Sequence, residues 1–382
     1  LAGCNSVPFV GGRTVPLGDD YPARSVTGVD AGWPRCRRDG ANTACAPDAE
    51  SVTDPSVQWR SPRLSMPHRW QDNRTVTADG GAVYAGGESL QAFGSLSGDR
   101  LWTQPASRET WYGPTLYDSL AWAPAADGDG VVLGVNPSTG DVAERLALPG
   151  DVEVPPSVTA EDGYFVSPTD AGIVAAMRDP PDAPGLFEPE WTQHLFAGGY
   201  RVATTESVFA VSYAGEVYRM LPRGRPYWRT DLNRLVASGP VVGDRRVYVA
   251  TEGGAVALLA DDGRRVWEYD APADTFDRGV AFDGARVFLT GESALHAVSA
   301  KTGERVWEAR FEEPVTAAPS VGGDRVYVGT GDTVRALTVG GEEAWSVTVD
   351  GGVGGMLALA AGRIYTIVNG GETGQSRVVA LA

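Results

Sequence analysis

The sequence predicts an all-β protein, an eight-bladed β-propeller of four-stranded antiparallel blades, and three observations predict it. The pattern Ala-x-x-x-x-x-Gly-x-x-x-Trp recurs at Ala92/Gly98/Trp102, Ala257/Gly263/Trp267 and Ala297/Gly303/Trp307. Self-similarity at a period of about forty residues is the signature of a propeller or solenoid. Each unit also holds four short β-rich runs parted by Gly/Asp turn chemistry. Finally, the repeat begins with one lone run and ends with three, so the two ends of the chain complete one blade between them.

The unit from Gly239 to Tyr269 shows the four runs in order: Pro240–Val242, Arg246–Thr251, Ala255–Leu259 and Arg265–Tyr269. Stepping outward, the Trp position falls at Trp59, Trp102, Glu144, Trp191, Trp228, Trp267, Trp307 and Trp345. The Gly four residues ahead recurs at Gly98, Gly140, Gly224, Gly263, Gly303 and Gly341, so Glu144 marks a true repeat that has lost its Trp. The seven Trp residues are expected to dock each blade on its neighbour, since burying a ring of that size contributes roughly 1.5–3 kcal/mol or more. After Trp345 only Gly355–Ala360, Arg363–Val368 and Arg377–Leu381 remain. The segment Ser56–Ser61 around Trp59 is expected to supply the missing outer strand.

Residues 56–382 therefore read as one ring, preceded by a tether at 1–30 and a lead-in at 31–55. The stretch Asn5 to Thr27 is rich in Gly, Pro, Ser and Asp without apolar periodicity, as a flexible tether is. Leu1-Ala2-Gly3-Cys4 matches a lipobox, which makes Cys4 the expected lipid attachment site of an exported, membrane-tethered protein. Cys36 and Cys45 enclose a short loop with no further ligand for zinc nearby, and in an exported protein a disulfide is expected.

The formal charge is −17, and Lys301 is the only Lys. An acidic surface argues against nucleic acid as a partner, and its depletion in Lys fits adaptation to high salt, where screening removes the self-repulsion.

At the level of motifs the chain resembles the pyrroloquinoline-quinone-like (PQQ-like) β-propeller repeat proteins. Ala297-Val-Ser-Ala-Lys-Thr-Gly-Glu-Arg-Val-Trp307 is similar to their repeat, and Pro319-Ser-Val-Gly-Gly-Asp-Arg-Val-Tyr-Val-Gly-Thr330 to their blade openings. Trp33-Pro-Arg-Cys-Arg-Arg-Asp-Gly-Ala-Asn-Thr43 resembles the lead-in found before the first blade, especially in haloarchaeal members. The resemblance implies a propeller and leaves activity open. Its members include quinoprotein dehydrogenases, the lipoprotein subunit of an outer-membrane assembly machinery and many exported proteins.

A dehydrogenase of this resemblance would need PQQ, a Ca²⁺ held by oxygen ligands, an Asp base and usually two adjacent Cys. No Cys-Cys pair is present, and the sequence holds neither a nucleophile elbow nor a phosphate loop. His68, His194 and His296 are far apart in the repeat register. The reading is a scaffold without catalytic residues, metal or cofactor, binding a protein or surface glycan. A PQQ- and calcium-dependent dehydrogenase is the alternative.

The residues that open the innermost strands, Arg74, Tyr112, Tyr200, Ser238, Arg278 and Ala317, line the channel by alignment, with Trp70 and Trp111 adjacent. Trp70, Arg74, Trp111, Tyr112, Tyr200 and Arg278 are the candidate partner-binding residues, because Trp, Tyr and Arg dominate binding hot spots. The same side chains would serve equally to plug the channel. Two long connections, Gln104 to Tyr112 and Arg178 to Glu190, add rim loops, where contacts concentrate or which act as stiff spacers. Asn73-Arg74-Thr75 is the one permitted N-glycosylation sequon.

Overall fold

The computed structural model describes residues 35, 37–39, 41–64, 75–79, 81–105, 113–125, 130–152, 154–159, 164–169, 172–178, 187–195, 201–370 and 375–382. Every regular element among them is a strand, and the strands form eight sheets, each built on one blade of antiparallel strands. The expected propeller is the fold. The innermost strands of blades 1 to 8 are Val76–Ala78, Thr115–Tyr117, Ser157–Val158, Arg201–Thr204, Val236–Gly243, Val280–Phe282, Ser320–Gly322 and Gly352–Ala360. Among the described residues no helix is long and apolar enough to cross a membrane.

The last blade closes the ring as expected. Its three inner strands are Gly352–Ala360, Arg363–Gly370 and Gln375–Leu381, and its outer strand is Val57–Arg60 from the other end of the ring. Trp59 faces Ala380 and Arg60 faces Val379. The Ser56 and Ala382 backbones exchange hydrogen bonds at 3.0 and 3.2 Å. Blade 5 departs from four separate strands: Arg246–Leu259 runs through the second and third positions without a break. The bend falls at Gly253, at φ +72°, a backbone conformation glycine adopts without steric cost.

The seven Trp residues all make the same joint. Each indole Nε1 donates to a backbone carbonyl at the next blade: Trp59 to Ser95, Trp102 to Pro137, Trp191 to Pro222, Trp228 to Ala260, Trp267 to Ala300, Trp307 to Val339 and Trp345 to Val52. An aromatic ring on the same blade backs most of them, as Tyr84 backs Trp102 and Tyr248 backs Trp267, with ring centroids 6.0 and 5.9 Å apart. The recurrent Gly sits under the next blade's side of the indole. At Gly303, φ is +78° and a Cβ would lie 2.8 Å from the Trp267 ring. Gly is required there on both counts.

Blade 2 shows how a joint survives without its Trp. Glu144 holds the register position, opposite Gly134, and is fully buried. On the second strand, at the register position that holds Tyr84 in blade 1, stands Trp122, whose register partner is Gly134. Trp122 meets Phe165 of blade 3 edge to face at 4.9 Å.

The lead-in is part of the ring. The carbonyls of Ala41, Thr43, Ala44 and Ala46 accept from the amides of Val242, Phe282, Val321 and Gly323, at 2.8 to 3.2 Å. Those amides lie at or just past the finishing ends of the inner strands of blades 5, 6 and 7. Cys45–Ala46 adds a short parallel strand to Ser320–Gly322. Val52 then receives an amide partner in the Tyr327 hydroxyl and offers its carbonyl to Trp345. The segment is a strap across one end of the channel, and at Val52 it replaces the turn that other blades supply. Cys45 is buried with a free thiol, whereas Cys36, its expected partner, lies outside the described residues, as does Cys4.

Asn42 pins the strap. Its buried amide donates to the carbonyls of Val202 and Pro240, both at 2.9 Å, joining blades 4 and 5. Its φ is +60°, a left-handed conformation that Asn tolerates and Ala resists. Asn42→Ala is expected to cost roughly 2–3 kcal/mol, from two carbonyls left without that donor and the strained backbone. Denaturant unfolding of the two chains side by side checks this, and a loss of a few tenths would show the strap to be loosely held.

Candidate binding site in the central channel

Each inner strand starts at the mouth opposite the strap and runs toward it. The residues at these starts enclose a cavity of about 110 Å³. Thr75, Thr115, Pro155, Arg201, Gly239, Arg278, Ala318 and Met356 line it, one associated with each blade. Arg35, Arg37 and Asn42 of the strap line it from the far end. The channel is thus a well, walled by the ring and floored by the strap.

The floor is fixed by hydrogen bonds. Arg37 donates to the Val280 carbonyl at 2.8 Å and to the Ser238 hydroxyl at 3.2 Å. Arg35 donates to the Ser157 hydroxyl at 2.6 Å, and Ser157 in turn meets Thr204 at 2.9 Å. Gly279 leaves room for this packing. A Cβ there would approach Arg37 Nη2 to 2.6 Å. On the wall, Arg278 is a quarter exposed and 3.7 Å from the Asp277 carboxylate, which points outward at 60% exposure.

Four guanidinium groups therefore border one small well, and among the described residues none that lines it is an Asp or a Glu. In a chain of formal charge −17 this is a local inversion of sign. Clefts lined by one sign of charge with low-dielectric walls focus the field inside them. Guanidinium groups match carboxylate and phosphate oxygens in a planar fork. The arrangement can hold an anion.

Of the expected recognition residues, Arg278 lines the well, while Trp70, Arg74, Trp111, Tyr112 and Tyr200 lie outside the described residues. Ser238 is buried and bonded to Arg37, and Ala317 is buried against Gly355, with Ala318 facing the cavity instead. Asn73 and most of both long connections also lie outside the described residues. Sequence reasoning missed Arg201, Arg35 and Arg37. The first directly follows Tyr200, and the others sit in the lead-in motif, where a signal of charge was present but no signal of direction.

The two described histidines, His194 and His296, do not converge. His194 is exposed and His68 lies outside the described residues. His296 is buried between Tyr269, whose hydroxyl meets Nδ1 at 2.8 Å, and Asp274, 3.2 Å from Nε2. Burial lowers the His296 pKa below its ordinary value, and the Asp274 charge opposes that shift. Among the described residues no group of three or more His, Cys, Asp or Glu could hold a metal ion.

The architecture is similar to that of several solved proteins. The europium-containing methanol dehydrogenase is 11% identical, with a TM-score of 0.66 over 92% of this chain and 98% of that one. Quinohemoprotein alcohol dehydrogenase from Comamonas testosteroni is 13% identical, with a TM-score of 0.67 over 95% and 82%. BamB from Moraxella catarrhalis is 14% identical over 86% and 97%, with a TM-score of 0.45. At such identities the first two likenesses extend to the fold alone, and the third is too weak in geometry to carry an argument. A search of curated protein sequences returns no match. The family model described as "Outer membrane protein assembly factor BamB" matches residues 188–277 and 256–381. Those matches together span just over half of the sequence, and the chain belongs to this family of PQQ-like repeat propellers.

Proposed function

We propose that this chain is a non-catalytic scaffold of the cell envelope that binds a protein partner at the open mouth of its channel, held near the membrane by a lipid on Cys4. The observation that carries the reading is the well: a rigid ring presents Arg201 and Arg278 at one mouth, and the strap crossing the other end adds Arg35 and Arg37 from below. A site built on rigid elements around a blind cavity suits recognition. Membership of the family described as an outer-membrane assembly factor supports the same reading.

The fold's quinoprotein likeness makes PQQ with calcium the alternative. The arginines would suit an acidic cofactor. Calcium takes six to eight oxygen ligands, carboxylates prominent among them, and among the described residues none lining the well is a carboxylate. The well, at about 110 Å³, is also smaller than the roughly 150 Å³ that receives a single benzene ring. The described residues do not fit the pair.

The test places a photo-crosslinking residue at position 278, on the mouth, and at position 283, beyond the finishing end of an inner strand, in cells of the native host. The scaffold reading expects one discrete protein adduct from position 278 and none from position 283. Dye reduction by alcohols or sugars after loading the purified chain with PQQ and calcium would overturn it.

A further inference from the structure

Resting on the scaffold reading, we infer that the well receives an acidic peptide segment of the partner, with an apolar side chain of that segment seated beside the mouth on Tyr213 and Leu235. The charge half of the argument is the guanidinium cluster of Arg35, Arg37, Arg201 and Arg278 around one cavity in an otherwise acidic chain. An Asp or Glu side chain would meet those groups in charge-assisted, forked hydrogen bonds.

The apolar half comes from the rim. Tyr213 and Leu235 are 50% and 51% exposed, among the few large hydrophobic side chains left in solvent. They are neighbours: the Val236 amide donates to the Tyr213 carbonyl at 3.1 Å. Both lie on the same side as the arginines. Leu235 directly precedes the inner strand Val236–Gly243, just as Arg278 precedes Val280–Phe282. Tyr213 connects the second strand of blade 4, Val208–Val211, to the third, Glu216–Met220. Since the first strand leaves the mouth and the second returns to it, that connection also lies at the mouth.

The spacing suits an extended chain. Leu235 and the cavity-lining Gly239 are four residues apart, at most roughly 13 Å along a strand. A segment of four or five residues spans the distance from the rim pair to the arginines. Adjacent side chains of an extended peptide can then divide between well and rim. A free organic acid would use the well and leave Tyr213 and Leu235 uncovered. A sulfated sugar would present its charge without an aliphatic group for Leu235, and the cavity is too small for its ring.

The probe is a fluorescein-labelled pentapeptide, Gly-Glu-Glu-Leu-Phe, titrated with the full chain by fluorescence anisotropy. Binding is expected to weaken about tenfold or more in the Arg201→Gln/Arg278→Gln double variant, from the loss of charged hydrogen bonds. It is also expected to weaken as salt rises. Tyr213→Ser with Leu235→Ser is expected to weaken it about fivefold, through lost apolar contact. Both rim side chains are exposed, so that variant folds as the parent does, and circular dichroism verifies it. Succinate competing as tightly as the peptide, a sulfated disaccharide binding more tightly, or indifference to the rim pair would each overturn the inference. Should the crosslinked partner still be captured by the arginine variant, the scaffold reading stands and the peptide inference falls.

Discussion

Trp267→Ala is expected to lower stability by about 3–5 kcal/mol, the range for truncating a well-packed buried indole. Trp267 is 7% exposed, backed by Tyr248 and bonded to the Ala300 carbonyl at 2.9 Å. Truncation removes the ring from one blade and leaves the Ala300 carbonyl without its donor on the next. Gly303→Ala attacks the same joint from the other side, forcing a methyl to within 2.8 Å of the indole at φ +78°. A loss of roughly 1–3 kcal/mol is expected from the backbone strain alone. Trp345, partly exposed and bonded to the strap at Val52, is expected to cost less when truncated. Guanidinium unfolding followed by circular dichroism ranks the three variants. A Trp267→Ala loss below about 1 kcal/mol would show that the repeat's aromatic marks the fold without holding it.

The ring was legible because its joint is written in side chains. Trp267 and Gly303 belong to successive repeats, and each needs the other: the indole requires a missing Cβ and a left-handed turn, which only Gly supplies freely. Closure was legible for a similar reason, since the sheet needed one strand and Trp59 carried the outer-strand mark. The strap was not. Ala41, Thr43, Ala44 and Ala46 are held through their carbonyls, and a backbone acceptor leaves no trace in residue type. The cationic well was half legible. Arg278 followed from the register, but Arg35 and Arg37 reach the channel only because the strap crosses it, a long-range fact that no local pattern encodes. That Trp122 meets blade 3 where Glu144 replaces the outer-strand Trp was likewise hidden, because the two residues lie on different strands of blade 2.

Glu144→Gln is expected to stabilise the protein by about 3 kcal/mol at pH 8 and hardly at all at pH 4, relative to the parent. Glu144 is fully buried where other blades place a Trp, and burial pushes its pKa from 4.5 up to about 7. The folded state therefore holds its proton more tightly than the unfolded state does. Below about pH 4.5 both states carry the proton, and the carboxyl imposes no electrostatic cost. As pH rises from there to about 7, the unfolded state ionises first and stability falls; above that the full cost is present. A difference of about 2.5 in pKa corresponds to about 3 kcal/mol. Gln keeps the shape and cannot ionise. Other groups titrate alike in both chains, so subtracting the two stability curves isolates Glu144. A difference curve that is flat from pH 4 to pH 8 would mean that the carboxyl keeps an ordinary pKa, through partners or water at the blade 2–3 joint. A fall in the parent alone would make this joint the weakest in the ring at alkaline pH, and limited proteolysis there should then cut between blades 2 and 3 first.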